Sequence, residues 1–346
     1  MTRLDKLKFL MTKKGYDAVV VTDRKNVFYY SGLSSTAGYL VITQDKNILV
    51  TDFRYIEQAN NQALDFQVID AKDFNMLDII KNDMTVGFEN ESIIYSEYES
   101  LAKKIKNLKP LDKLLLMQRS IKEPKEAEYI QKAVDIADMA FNHILNYIKP
   151  DVSEKDIALE IEYFMKKHGA EGISFDTIVA SGKRGSMPHA VPTDAKIKHG
   201  DMVVMDFGCT YMGYCSDMTR TVAVGTPDSE AKDVYNTVLK AQHAALEVIA
   251  EGVKGCDAHK ISEDIINQKY NGTFGHSLGH GVGLEIHEYP NLSPKNPLPL
   301  TTGNVVTVEP GIYIASKLGV RIEDMGIVTA DGFLNFTKSP KELIVL

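Results

Sequence analysis

Apolar and polar residues alternate in short blocks over roughly the first 120 positions of this chain. Strands are predicted where the apolar runs are brief and bounded by turn residues, at 17–21, 39–43, 47–51, 66–69 and 86–88. Helices are predicted where apolar residues recur every three or four positions, at 3–14, 54–63, 76–81 and 98–106. This alternation predicts an α/β domain over residues 1–120.

Longer helices are predicted from residue 121 onwards. Pro124 occupies a first-turn position, and apolar residues follow it at helical spacing. Ser153 and Asp156 form a capping-box pattern at the start of a second helix, and two further helices are predicted to begin near Ser229 and Asp257. Residues 121–346 are therefore predicted to form a second domain of the α+β class.

The segment MVVMDFGCTYMGYCSDMTR, residues 202–220, is predicted to be a hairpin. Asp206 and Asp217 are symmetric about the midpoint between Tyr211 and Met212. If the strands turn there, the two aspartates lie directly opposite each other, where like charges repel. A cation, a shared proton or an arginine is needed to make such a pair tolerable.

The second half of the chain repeats a pattern of two helices followed by a hairpin that bears two carboxylates. Glu309 and Glu323 are symmetric about Ser316 and follow Asp206 and Asp217 by 103 and 106 residues. The repeat predicts a domain with an internal pseudo-two-fold relation and a site between its halves. Four convergent carboxylates with one imidazole form a ligand set for two divalent ions. Oxygen ligands favour Mn²⁺, with Co²⁺, Zn²⁺ or Fe²⁺ as alternatives.

Composition excludes several classes of protein. The net charge of -8 argues against nucleic acid as a partner, and no apolar run approaches the ~20 residues of a membrane span. The N-terminal segment lacks the small-residue cleavage site of a secretory signal. Three cysteines without metal-ligand spacing predict free thiols and a cytoplasmic location.

The candidate ligands lie in short sequence motifs that resemble those of a known family. Asp206 lies in VVMDFG, Asp217 in YCSDMTR, His280 in GHGVG, Glu309 in TVEPGIY and Glu323 in RIEDM. These motifs resemble those of the pita-bread metallopeptidases, which include aminopeptidase P, prolidase and methionine aminopeptidase. Residues 1–120 resemble the creatinase/prolidase N-terminal domain.

The resemblance implies roles for individual residues. Asp206 would bind one metal ion in bidentate fashion, Asp217 and Glu323 would bridge two ions, and His280 with Glu309 would bind the other ion. His189 and His287 resemble the histidines that contact substrate and stabilise the tetrahedral intermediate. His276 resembles a further pocket histidine, and Arg321 resembles an arginine behind the ligands.

By the same resemblance, the expected activity is hydrolysis of Xaa-Pro bonds in short peptides. Xaa-Pro aminopeptidase is the main prediction, and Xaa-Pro dipeptidase, or prolidase, is the alternative. A family member that binds metal without peptidase activity is a remote third hypothesis. The family resemblance also implies a homodimer. Glu309 is the expected proton acceptor.

Two unrelated motifs also match the sequence. DFG at 206–208 occurs in kinases, but no HRD-type catalytic loop or Gly-rich loop precedes it. GHSLG at 275–279 matches the nucleophile elbow of serine hydrolases, but a buried strand before Ser277 is lacking. Both hypotheses are therefore disfavoured.

Overall fold

A six-stranded mixed sheet forms the centre of the N-terminal unit, Met1–Arg119, in the computed structural model, which describes residues 1–346. Its strands are β1 (Ala18–Val21), β2 (Tyr39–Thr43), β3 (Asn47–Thr51), β4 (Gln67–Asp70), β5 (Thr85–Phe88) and β6 (Asn107–Pro110), in the order β4-β3-β2-β1-β5-β6. β1 is buried at all four positions and pairs antiparallel with β2 and parallel with β5. The predicted α/β class is confirmed.

Five α-helices accompany this sheet: α1 (Arg3–Lys14), α2 (Arg24–Ser31), α3 (Ile56–Gln62), α4 (Tyr95–Ala102) and α5 (Leu114–Ser120). α1 has the predicted bounds because Thr2 forms a capping box with Asp5 and Gly15 ends the helix in the left-handed conformation, with φ 74°.

One predicted helix of this unit lies elsewhere, and one helix was not predicted. The helix expected at 98–106 lies at Tyr95–Ala102, and the following residues turn into β6, which pairs in parallel with β5. α2 was not predicted, although Asp23 caps it by accepting hydrogen bonds from the amides of Lys25 and Asn26. Pairing with β5 thus determines the structure of the residues after α4, and the cap at Asp23 determines that of α2. The apolar spacing of both segments was ambiguous.

The second unit, Ser120–Leu346, contains four long helices and thirteen short strands. The helices are α6 (Pro124–Ile144), α7 (Glu154–Lys167), α8 (Ser229–Val248) and α9 (Gly255–Asn267). The strands of its first half are β7 (Gly172–Ile173), β8 (Ile178–Ser181), β9 (Met202–Phe207), β10 (Cys209–Tyr211), β11 (Tyr214–Cys215) and β12 (Met218–Ala223). Those of its second half are β13 (Gly279–Gly281), β14 (Glu288–Leu292), β15 (Val305–Val308), β16 (Gly311–Ile314), β17 (Leu318–Arg321), β18 (Asp324–Thr329) and β19 (Gly332–Asn335).

Each half of this unit has its own hydrophobic core, which confirms the predicted repeat of pattern. In the first half α6 and α7 pack against β9 and β12, and in the second half α8 and α9 pack against β15 and β17. The main sheets have the strand orders β12-β9-β8 and β14-β13-β15-β18-β19. No helix is both long and apolar enough to cross a lipid bilayer. All three cysteines are free, as predicted.

The first hairpin turns one residue later than its symmetry predicted. Asp206 pairs with Thr219, and Asp217 lies just before the paired residues of β12. The tip is Met212-Gly213, both with positive φ (49° and 80°), as a two-residue hairpin turn requires. The prediction that the two aspartates lie directly opposite each other was therefore wrong. Asp217 lies two residues before Thr219, the partner of Asp206. Because side chains alternate with a period of two along a strand, both aspartates still lie on the same face at one end of the ladder.

The second hairpin follows its predicted symmetry. Val308 pairs with Asp324 in one ladder and Gly311 pairs with Arg321 in the next. Glu309 and Glu323 consequently face each other where the first ladder ends and the second begins. Ser316 occupies the tip, with a positive φ of 61°.

The backbone approaches itself closely at Gly208, between the two aspartates. A methyl group at this position would lie 1.9 Å from the carbonyl oxygen of Ser216, whereas at Gly172 the nearest atom would be 3.7 Å away. The absence of a side chain at Gly208 therefore allows the two strands that carry the aspartates to pack together.

Gly208→Ala is expected to destabilise the second unit by about 1–3 kcal/mol, because overpacking forces the backbone to shift. Thermal unfolding measures this as a melting temperature lowered by at least roughly 2 °C. Gly172→Ala is the matched control and should change stability by no more than about 0.5 kcal/mol. Equal melting temperatures for the two variants would contradict the close approach at Gly208.

Candidate metal centre

Four carboxylates from the two hairpins converge in the second unit. Asp206 lies at the end of β9, Asp217 just before β12, Glu309 just after β15 and Glu323 just before β18. Asp206, Asp217 and Glu323 are buried, and Glu309 is partly buried. Strand ends thus bring together the four residues that the sequence repeat had singled out.

His280 completes the group from β13. Its Nε2 lies 3.5 Å from Oδ2 of Asp217 and 3.4 Å from Oε1 of Glu309. Its Nδ1 is 3.1 Å from the carbonyl oxygen of Gly281, which can only accept a hydrogen bond. Nδ1 therefore carries the proton, and the lone pair of Nε2 points toward the carboxylates.

Burial and mutual repulsion dominate the electrostatics of this group. Burial together with the charges of Glu323, Asp206 and Glu309 raises the pKa of Asp217 well above its usual value, and the pKa of Glu323 is raised in the same way. Burial raises the pKa of Glu309 to about 8 and lowers the pKa of His280 to about 4. Without a cation the site holds extra protons, and the imidazole is neutral.

The arrangement fits bound divalent cations. Oδ1 of Asp206 and Oε1 of Glu323 are buried and have no hydrogen-bond partner. Ligand atoms of Asp217, His280 and Glu323 all lie within 4.8 Å of one another. Buried oxygen acceptors without donors, next to a neutral imidazole, are the ligands that divalent transition metals prefer.

Arg321, which the resemblance placed behind the ligands, carries a positive charge next to Asp206. Its guanidinium contacts Oδ2 of Asp206 at 2.5 Å and also donates hydrogen bonds to the hydroxyls of Thr219 and Tyr313. Thr219 in turn donates to Oε2 of Glu323 at 2.7 Å. One arginine and one threonine therefore orient a carboxylate from each hairpin.

Arg220 joins the two hairpins from the other side. Its buried guanidinium donates to the backbone carbonyl oxygens of Thr219 and Glu323, and forms a 2.7 Å ion pair with Asp324. It also donates to the carbonyl oxygens of Ser339 and Pro340, near the end of the chain. This residue therefore holds the backbones of both ligand-bearing segments at a fixed separation.

A pocket of about 1130 Å³ opens onto the carboxylates. His189, His276 and His287, the three further candidate histidines, line it, and the ring centroid of His287 lies 4.4 Å from that of His280. His276 Nε2 lies 3.0 Å from the hydroxyl of Tyr313, and burial lowers the pKa of His276 to about 4. Burial and, to a smaller extent, the charge of His189 also lower the pKa of His287.

Several residues of the site were missed by sequence reasoning. Tyr313 and Thr219 bind Arg321, while Asp176 and Asn291 line the pocket. Ile178 pairs with Asp206 across the strands β8 and β9. Asp176 lies two residues before Ile178 and is therefore close to Asp206. Tyr313 could have been singled out from the sequence, because it belongs to the motif TVEPGIY and lies four residues after Glu309.

Comparison with known proteins identifies the class of this two-domain protein. A model described as metallopeptidase family M24 matches residues 128–330, and one described as the creatinase/prolidase N-terminal domain matches residues 3–121. The fold and the matched regions define a metallopeptidase with a pita-bread catalytic domain. The chain belongs to metallopeptidase family M24, in the branch of aminopeptidase P and prolidase.

Individual relatives match over nearly the whole chain. An Xaa-Pro dipeptidase of Pyrococcus furiosus is 39% identical over 99% of both chains. The solved structure of an Xaa-Pro dipeptidase from Bacillus anthracis is 41% identical over 99% of both chains, with a TM-score of 0.95. An X-Pro aminopeptidase from Thermotoga maritima is 36% identical over 100% of both chains, with a TM-score of 0.92.

Metal binding to this site is expected to release protons near pH 7. The raised pKa values mean that the metal-free carboxyl groups hold protons, which must leave before the oxygens can act as ligands. The apparent affinity for Mn²⁺ should therefore rise as the pH is raised from 6 to 8.

Titration calorimetry in two buffers of different ionisation enthalpy measures the released protons. Glu309→Gln is the control, because it removes one group whose pKa is raised to about 8 and should lower the number of protons released. Identical observed enthalpies in the two buffers would contradict the protonated metal-free state.

Proposed function

We propose that this peptidase is an Xaa-Pro dipeptidase, which hydrolyses the bond before a C-terminal proline. The similarity over the full chain to proteins named Xaa-Pro dipeptidase carries this proposal. It favours the alternative of the sequence analysis over its main prediction, the aminopeptidase. The expected homodimer and the cytoplasmic location stay predictions from the sequence.

We further propose that the centre holds two divalent ions, with Mn²⁺ as the expected metal. Asp206 would bind one ion, Asp217 and Glu323 would lie between the two, and His280 with Glu309 would bind the other. The unpartnered oxygens of Asp206 and Glu323 support this assignment. Bound divalent ions would supply Lewis acidity, which lowers the pKa of water and polarises a carbonyl group.

Glu309 is proposed to transfer the proton during the reaction. Thr307 donates a hydrogen bond to Oε1 of Glu309 at 3.3 Å, and this same oxygen faces His280. The carboxylate is therefore held in place while it accepts the proton of the nucleophile. It then returns this proton to the proline nitrogen, which must be protonated to leave as an amine.

His189 and His287 are proposed to bind the oxygen of the scissile carbonyl as charge develops on it. Both side chains are exposed to the pocket. His287 is neutral at pH 7 because its pKa is lowered, so it donates through a single N–H. A donor in such a position typically contributes about 10²–10³ in kcat.

One observation favours the aminopeptidase as a second candidate function. Among the residues that line the pocket, Arg321 is the only lysine or arginine, and its guanidinium already binds Asp206, Thr219 and Tyr313. A dipeptide presents a free carboxylate, which usually requires a cationic partner when it is desolvated. A longer substrate presents a neutral amide at this position.

Hydrolysis of Ala-Pro, Ala-Pro-amide and Ala-Pro-Ala with added Mn²⁺ separates the two candidates. The dipeptidase proposal expects kcat/KM for Ala-Pro to exceed the others by at least about tenfold, since one charged contact of about 1.4 kcal/mol gives this factor. Ala-Ala is the control that lacks proline. The reverse order would favour the aminopeptidase, and failure to cleave any proline substrate would exclude Xaa-Pro activity.

Asp206→Asn and Glu323→Gln are each expected to abolish metal-dependent hydrolysis, because each removes a charged ligand and keeps the size of the side chain. Asp331→Asn, at the exposed turn between β18 and β19, is the matched control and should retain full activity. Hydrolysis is followed by release of proline, and bound metal by atomic absorption. Full activity in both ligand variants would refute the two-metal proposal.

A further inference from the structure

A buried ion pair lies behind the wall of the pocket, outside the metal ligands. Nζ of Lys122 is 3.0 Å from Oε2 of Glu288, and the two side chains are only 1% and 4% exposed. The backbone of Lys122 is fixed as well, since its N–H donates to the carbonyl oxygen of Gly303 at 2.8 Å. The ammonium group therefore has a well-defined place just before α6.

Glu288 closes the preceding residues into a loop. Its Oε1 accepts a hydrogen bond from the N–H of Glu285 at 3.1 Å. A methyl group on Gly283 would lie 2.5 Å from Oε2 of Glu288, so the carboxylate packs directly against this glycine. The carbonyl oxygen of Gly283 accepts from the N–H of Cys215, next to the first hairpin.

His287 is the residue that this loop presents to the pocket. It directly precedes Glu288, and its ring meets that of His280 edge to face. The side chain of His287 is exposed to the pocket. Its position therefore depends on the backbone of residues 283–288 and on the carboxylate that organises this backbone.

We propose that Lys122 is a positioning residue, which acts through Glu288 to hold the loop of residues 283–288 so that His287 faces the metal centre. Removing the charge of Lys122 takes the 3.0 Å ion pair away from the buried carboxylate of Glu288, which is unfavourable for a buried charge. The carboxylate would then be held less firmly, and the loop of residues 283–288 would become more mobile. The kinetic part of this inference rests on the proposed role of His287 in Xaa-Pro hydrolysis.

The test compares Lys122→Met with Lys125→Met in the full-length protein. The second variant is the matched control, because Lys125 lies three residues further on and forms an exposed ion pair with Glu128. Hydrogen exchange is measured by mass spectrometry on peptides that cover residues 283–288 and, as an internal reference, β9. Lys122→Met is expected to speed exchange in 283–288 and not in β9, whereas Lys125→Met should match the wild type.

Kinetics supply a second measurement, with Ala-Pro as substrate and Mn²⁺ as the metal. Lys122→Met is expected to lower kcat about tenfold, the typical effect of removing a group that orients another, while KM and the affinity for Mn²⁺ change by less than about twofold. In a His287→Ala background the same substitution should cost no further activity, because the residue through which it acts is gone.

Two results would overturn the proposal. One is unchanged exchange in residues 283–288, and the other is an equal loss of kcat in the presence and in the absence of His287. If Lys122→Met does not fold, Glu288→Gln replaces it, since it removes the charge and keeps an oxygen for the N–H of Glu285. If the wild-type protein cleaves no proline substrate, the proposed function fails, and the exchange measurement still decides the positioning role.

Discussion

The burial of four mutually repelling carboxylates is the constraint on which the rest of the catalytic unit depends. Burial and the neighbouring carboxylates raise the pKa values of Asp217, Glu309 and Glu323, so the apposition is unfavourable unless cations or protons compensate it. The two cores, each built from a helix pair and a hairpin, supply the stability that holds the ligands together. The site is thus maintained by the packing of both halves.

The sequence predicted one hairpin better than the other, for a physical reason. Around Ser316, the symmetry of the two glutamates coincided with the strand register, because a single tip residue has positive φ. Around Tyr211, the symmetry of the two aspartates predicted the wrong position for the turn. This turn requires two consecutive residues with positive φ, and these are Met212 and Gly213. Local backbone conformation decides register, and the positions of charged residues follow from it.

The carboxylates and the histidine that converge in the second unit could be singled out from the sequence, because a metal site demands such donor groups. Apart from Arg321, the groups that orient them could not. Thr219 bonds to Arg321 across 102 positions, and Lys122 pairs with Glu288 across 166. Such partners meet only through tertiary packing and leave no periodic pattern. β6 escaped prediction for a related reason, since Asn107–Pro110 is mostly exposed and polar and becomes a strand only through its pairing with β5.

The contacts of Arg220 with both hairpins and with Ser339 and Pro340 have a consequence for synthesis of the chain. The carbonyl oxygen of Ser339 that receives one of its hydrogen bonds is translated 119 residues later, long after the first hairpin has left the ribosome. Asp206 and Asp217 lack both glutamates until the chain reaches Glu323, and they lack part of the hydrogen bonding of Arg220 until it reaches Ser339 and Pro340. A nascent chain that has not reached Glu323 therefore lacks the full set of four carboxylates, and we expect activity only after the second core has formed.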